Sequence, residues 1–129
     1  VYMSKNHPLA GRKSIKLQEL DPYPLLSFDQ GQFNSFYFSE EVLSTYDYKQ
    51  VIKCNDRATV LNLMVGLNGY TLCSGLICED LNGSDYTAVR LKSSEIMRVG
   101  YLIRRGIALS PMGQRYVQEL EAFKNQVLD

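Results

Sequence analysis

Excess charge of either sign, histidine and long apolar runs are what this sequence has little of. Its 129 residues carry 14 Lys and Arg against 14 Asp and Glu, a formal net charge of zero. Such a balance gives no reason to expect binding to nucleic acid or to an anionic membrane, both of which draw on surplus cations. No apolar run reaches the roughly 20 residues that span a bilayer. The opening VYMSKNHPLAG has no basic start followed by an apolar stretch, so it is no secretory signal. Position 1 is Val rather than Met, which predicts a piece of a longer protein. The one histidine, His7, stands between Asn6 and Pro8 with no acidic neighbour in sequence to orient it. A triad or Cys–His pair needs partners that this placement does not supply, and no enzyme activity is expected. The cysteines, Cys54, Cys73 and Cys78, are odd in number and scattered. They suit a reduced, cytoplasmic setting better than a disulfide framework. With His7 they are too scattered to converge on zinc, so buried free thiols are expected, with no metal and no cofactor.

What is present is ordinary for one globular domain or part of one: 45% apolar and 22% charged residues. The stretch NDRATVLNLMVGLNGYTLCSG, residues 55–75, organises it. Asn55 and Asp56 are good helix N-caps, since their side-chain oxygens accept from free N–H groups of the first turn. Val60, Leu61, Met64, Val65 and Leu67 recur at helical spacing. Asn68-Gly69 is the pair best able to turn left-handed and end the helix. Residues 70–73 form a short apolar run that suits a strand covered on both faces. Loop, helix, tight turn and buried strand make the unit of a parallel α/β sheet.

Around it, strands are expected at 1–4, 25–28, 48–54, 87–91 and 96–104. A short helix is expected at 14–20, and a second one after Gly31 with Phe33, Phe36, Tyr37 and Leu43 as core. Residues 79–85 read as a plain loop. Ser110-Pro111 is a strong helix start, followed by the stripe Met112, Tyr116, Val117, Leu120, Phe123 and Val127. The stripe and the strand before it need a cover, which predicts a homodimer closed by a two-fold axis.

Candidate binding residues lie where strands hand over to helices. Ser27, Asp29, Gln30 and Gly31 follow one strand; Asn55, Arg57 and Thr59 follow another; Ser74 follows a third. In a parallel sheet all three groups share the carboxyl edge, where ligands bind, and a helix start adds N–H groups that can hold an anion. Helix capping is the other use of the same residues. Gly66 to Gly69 is no dinucleotide fingerprint, because it comes after a helix and before a strand.

Six segments, in order, resemble parts of the effector-binding domain of LysR-type transcriptional regulators. His7-Pro8-Leu9-Ala10, Ile15 to Leu20 and Tyr23-Pro24 are similar to the entry to that domain's second lobe. Val65 to Asn68-Gly69 resembles its Val-x-x-Gly-Leu-Gly segment, with Asn68 where a second glycine is usual. Val99 to Gly106 and Leu109-Ser110-Pro111 resemble its closing strand and helix. A proline common after the strand at 70–73 is missing.

The resemblance implies a periplasmic-binding-protein-like α/β fold with a mainly parallel sheet. Residues 1–90 would form the second lobe, and 91–129 the last strand and helix of an otherwise missing first lobe. It implies a small-molecule effector, with Arg57 its charge partner if anionic, and control of DNA binding by a winged helix-turn-helix domain outside this chain. Two other classes fit the residues less well. A solute-binding protein shares the fold but lacks an export signal here, and a small α/β enzyme would need Cys54 or Cys73 as nucleophile in apolar surroundings that disfavour a thiolate.

Overall fold

A computed structural model describes residues 1–29, 47–76, 79–94 and 100–127. The chain divides into two compact units, Val1–Met97 and Arg98–Asp129.

The first unit is built on a five-stranded sheet. Its strands are β1 (Tyr2–Ser4), β3 (Leu25–Phe28), β4 (Val51–Cys54), β5 (Tyr70–Thr71) and β6 (Tyr86–Ala88), in the order β4-β3-β5-β1-β6. β3 runs parallel to β4 and β5, while β1 is antiparallel to both β5 and β6. Four strands therefore share one direction and β1 alone opposes them. A separate parallel pair joins β2 (Ser14–Ile15) to β7 (Arg90–Leu91).

Alternation along the strands fills both faces. Val1, Met3, Leu25, Tyr70, Leu72 and Val89 pack in one cluster with Ile15 and Leu20 from the connection after β1. Tyr2 and Leu26 point the other way and pack on Met64 of α1 (Arg57–Gly66), with Val60, Leu61 and Leu63 at the margin. Val65 and Leu67, expected on the buried side, are exposed; Leu67 stands beyond the last helical turn.

The turn from α1 to β5 forms as its residues dictate. Asn68 takes φ 51°, and a Cβ on Gly69 would sit 2.9 Å from Leu26 Cδ1. Asparagine tolerates the left-handed region, and glycine lets β5 close on β3.

Several local expectations need correction. Residues 14–20 are no helix: β2 pairs with β7, and only Leu17–Leu20 curls into a 3₁₀ turn, with Glu19 Oε2 accepting from Lys16 N at 2.8 Å. The predicted strand 87–91 breaks at Val89, whose N–H donates to Val1 O, so β6 serves the large sheet and β7 the small one. The plain loop at 79–85 contains a short helix, α2 (Glu79–Asn82), closed by Gly83 at φ 78°. Of the strand expected at 96–104, residues 100–104 are irregular, with Tyr101, Leu102 and Ile103 exposed. Apolar residues alone make no strand when no neighbour takes their backbone bonds. The rest of that strand, the helix with Phe33, Phe36, Tyr37 and Leu43, and Cys78 lie outside the described residues.

In the second unit Ser110 caps α3 (Pro111–Val127), its Oγ accepting from Gly113 N at 3.1 Å. Met112, Tyr116, Leu120 and Phe123 of the expected stripe are exposed.

Candidate functional site at the carboxyl edge

The carboxyl ends of β3, β4 and β5 open onto one edge of the first unit. β3 and β4 are in register to their last residues, Phe28 opposite Cys54, and Asp29 N donates to Cys54 O at 2.7 Å. The next residues, Asp29 and Asn55, are both exposed on adjacent strand ends. After β5 the chain runs through Cys73-Ser74-Gly75, with Gly75 at φ 87°. Cys73 Sγ accepts from Gly75 N and Ser74 Oγ from Leu76 N, each at 3.3 Å, so this loop is fixed by its own side chains.

Ser27 does not belong to the open surface. It is 8% exposed within β3, a strand buried at each of Leu25, Leu26 and Ser27 and therefore on both of its faces. Gln30 and Gly31 lie outside the described residues. Thr59 is engaged in capping: its N–H donates to Asp56 Oδ1 at 2.8 Å. The Thr59 side chain and the Ala58 backbone also bond to the Asp56 carboxylate, and together these hold its pKa below the usual aspartate value. The start of α1 is thus occupied by the protein's own anion, and capping accounts for Asp56 and Thr59.

Arg57 leads α1 and reaches across 25 residues of sequence to α2. Its Nη2 and Nε donate to one atom, Asn82 Oδ1, at 2.6 and 3.2 Å. Close to it lies Tyr2, 5% exposed, whose buried hydroxyl has no hydrogen-bond partner. Burial raises the Tyr2 pKa above its ordinary value, and the charge on Arg57 pulls the other way. The Tyr2 ring stacks obliquely on Tyr86 at 5.6 Å, and Tyr86 in turn donates its hydroxyl proton to Leu61 O at 3.2 Å.

Sequence reasoning missed Tyr2 and Asn82. A tyrosine in a strand buried on both faces is a signal, since its hydroxyl needs a partner. Asn82 carried none: only folding brings it to Arg57.

His7 is at the opposite, amino edge, beyond the end of β1, and cannot assist Cys54 at the end of β4. Cys54 is buried and Cys73 half-buried, both as free thiols. Among the described residues, no group of three or more His, Cys, Asp or Glu could hold a metal ion, and no helix is long and apolar enough to cross a membrane.

Ligands of open α/β sheets bind outside the carboxyl ends of the strands, and it is this edge that carries the exposed polar residues Asp29, Asn55 and Ser74. The family model described as the LysR substrate binding domain matches residues 1–124. The chain therefore belongs to that family, whose domain is an effector-binding regulatory module with a periplasmic-binding-protein-like α/β fold. Comparisons with curated proteins and with solved structures gave no match.

Proposed function

We propose that this domain senses a small-molecule effector and passes the signal to a winged helix-turn-helix domain outside residues 1–129, in a cytoplasmic, LysR-type transcriptional regulator. The observation that carries the reading is the shared edge: Asp29, Asn55 and Ser74 follow three neighbouring strand ends and are exposed. Arg57 adds the cation, and Gln30 and Gly31 complete the edge in sequence. Residues 1–90 act as the second lobe of the receptor, and 91–129 contribute to the first. The chain itself makes no sequence-specific contact with DNA, in keeping with its zero net charge.

The domain works as a homodimer, with the exposed Met112, Tyr116, Leu120 and Phe123 of α3 needing a cover of their own kind. Thermal-shift screening with a panel of small carboxylates, amides and sugars tests the sensing role. The expected result is a rise in melting temperature that Asn55→Ala diminishes. A panel whose hits are indifferent to substitutions at Asp29, Asn55, Arg57 and Ser74 would move the site elsewhere. Light scattering over a dilution series tests the dimer, which a monomer at every concentration would refute.

A further inference from the structure

Arg57 donates twice to one oxygen. Nη2 and Nε both converge on Asn82 Oδ1, at 2.6 and 3.2 Å. That side of a guanidinium is the fork that binds a carboxylate with two parallel bonds. An amide oxygen occupying it is a neutral acceptor, and a charged one holds the fork about twice as strongly. Arg57 is exposed and Asn82 only partly buried, so the pair is open to a competitor in solution. The other charges close by in sequence do not fill the fork. Asp56 is turned into the cap of α1 by Thr59 and Ala58. Among the described residues Arg57 bonds to Asn82 and not to Glu79 or Asp80 of the same helix.

A second observation concerns Tyr2, which feels the charge of Arg57. The Tyr2 hydroxyl, on a residue 5% exposed, is buried without a partner. Buried hydroxyls in native proteins are nearly always bonded, and one left open within the field of an arginine is a place for a ligand atom.

Building on the effector-sensing reading above, we propose that Arg57 is the anchor for a carboxylate group of the effector, and that Asn82 is an internal placeholder the carboxylate displaces. Tyr2 is the second contact, its hydroxyl bonded only when the ligand is in place. Binding then exchanges the acceptor on Arg57 and removes this one bond between α1 and α2. The signal is the loss of the Arg57–Asn82 bond between α1 and α2.

The test uses benzoate and acetate as probes, with benzamide and acetamide as uncharged counterparts, followed by NMR at the Arg57 Nε–H and the Asn82 side-chain amide. The carboxylates should shift both signals and the amides neither. Asn82→Asp puts a permanent carboxylate on the fork and should weaken benzoate binding about tenfold or more, the scale of one hydrogen bond to a charged group. Asn82→Ala removes the competitor and should tighten it. Tyr2→Phe should leave the melting temperature of the free protein unchanged or raised, yet weaken benzoate. Equal binding by Asn82→Ala, Asn82→Asp and the parent would overturn the placeholder, as would equal responses to benzoate and benzamide. Shifts confined to Asn55 and Ser74 would keep the effector site and remove Arg57 from it. No carboxylate response at any residue of this edge would refute the carboxylate anchor, while thermal-shift hits among the uncharged compounds would still uphold effector sensing.

Discussion

The two edges of the same sheet are finished in opposite ways. At the amino edge the loops are tied to one another. Lys5 N donates to Asp85 O at 2.8 Å, Leu25 N to Gln50 O at 2.9 Å and Tyr70 N to Pro24 O at 3.1 Å. Lys49 and Asp21 form an ion pair at 3.0 Å, and the buried His7 ring lies 4.4 Å from that of Tyr23. At the carboxyl edge, by contrast, Asp29, Asn55 and Ser74 are exposed, and Arg57 and Asn82 are joined by an exposed side-chain bond. One edge holds the strands in place so that the other can leave polar groups open to solvent. Substitutions at the first should therefore act on stability, and at the second on ligand response.

The largest effect is expected where the amino edge is tightest. A methyl group on Gly69 would meet Leu26, itself 1% exposed and unable to withdraw without disturbing Met64 and Tyr2. Gly69→Ala should cost about 1–3 kcal/mol, as overpacking a core does. Urea unfolding would register this as a lower midpoint at unchanged slope. An unchanged midpoint would mean that this edge has slack and that the contrast is overdrawn.

A smaller effect separates the edges by pH. His7 Nδ1 accepts from Leu9 N at 3.0 Å, so the neutral ring carries its proton on Nε2, which is buried with no hydrogen-bond partner. Burial lowers the His7 pKa from its ordinary 6.5, while the Asn68 backbone pulls it up. Above 6.5 both folded and unfolded chains hold the neutral ring and its contribution is constant. Below 6.5 the unfolded chain binds a proton that the folded one resists, so stability falls until the lowered folded pKa is passed. Asp56, at the carboxyl edge, has a folded pKa below its ordinary 3.8, so the stability it adds is kept above that value and lost only in stronger acid. Unfolding measured between pH 8 and 5 should slope downward below 6.5 in the parent and flatten in His7→Asn. A slope that His7→Asn leaves intact would assign it to other groups.

The smallest effect on stability belongs to the open edge. Asn55→Ala and Asp29→Ala should each shift unfolding by no more than about 0.5 kcal/mol, as is usual for exposed sites. Either substitution should still reduce the thermal shift given by a bound effector. A loss well above that size would mean these side chains hold the strand ends together, and the edges would then differ less than their exposure suggests.

Local chemistry was legible in the sequence wherever neighbours along the chain decide the outcome. Asp56 caps α1, Asn68 turns left-handed, Ser110 caps α3 and residues 25–28 form a strand, each as its residue types require. The order of family-like segments carried the fold class, because alternating strands and helices admit few sheet topologies. What the sequence could not determine depends on partners distant along the chain. Whether 14–15 is strand or helix rests on Arg90 and Leu91 lying alongside, and residues 100–104 stay irregular although Tyr101, Leu102 and Ile103 are apolar. Ser27 and Asn55 read alike as polar residues at strand ends, yet one is buried in the sheet and the other exposed beyond it. Tyr2, Arg57 and Asn82 are spread over 80 residues, and no spacing rule connects them. Caps and turns are settled by bonds between near neighbours, so sequence determines them. Strand pairing, burial and the meeting of Arg57 with Asn82 are settled by which distant groups the closed sheet brings within bonding distance, and only the tertiary structure decides that.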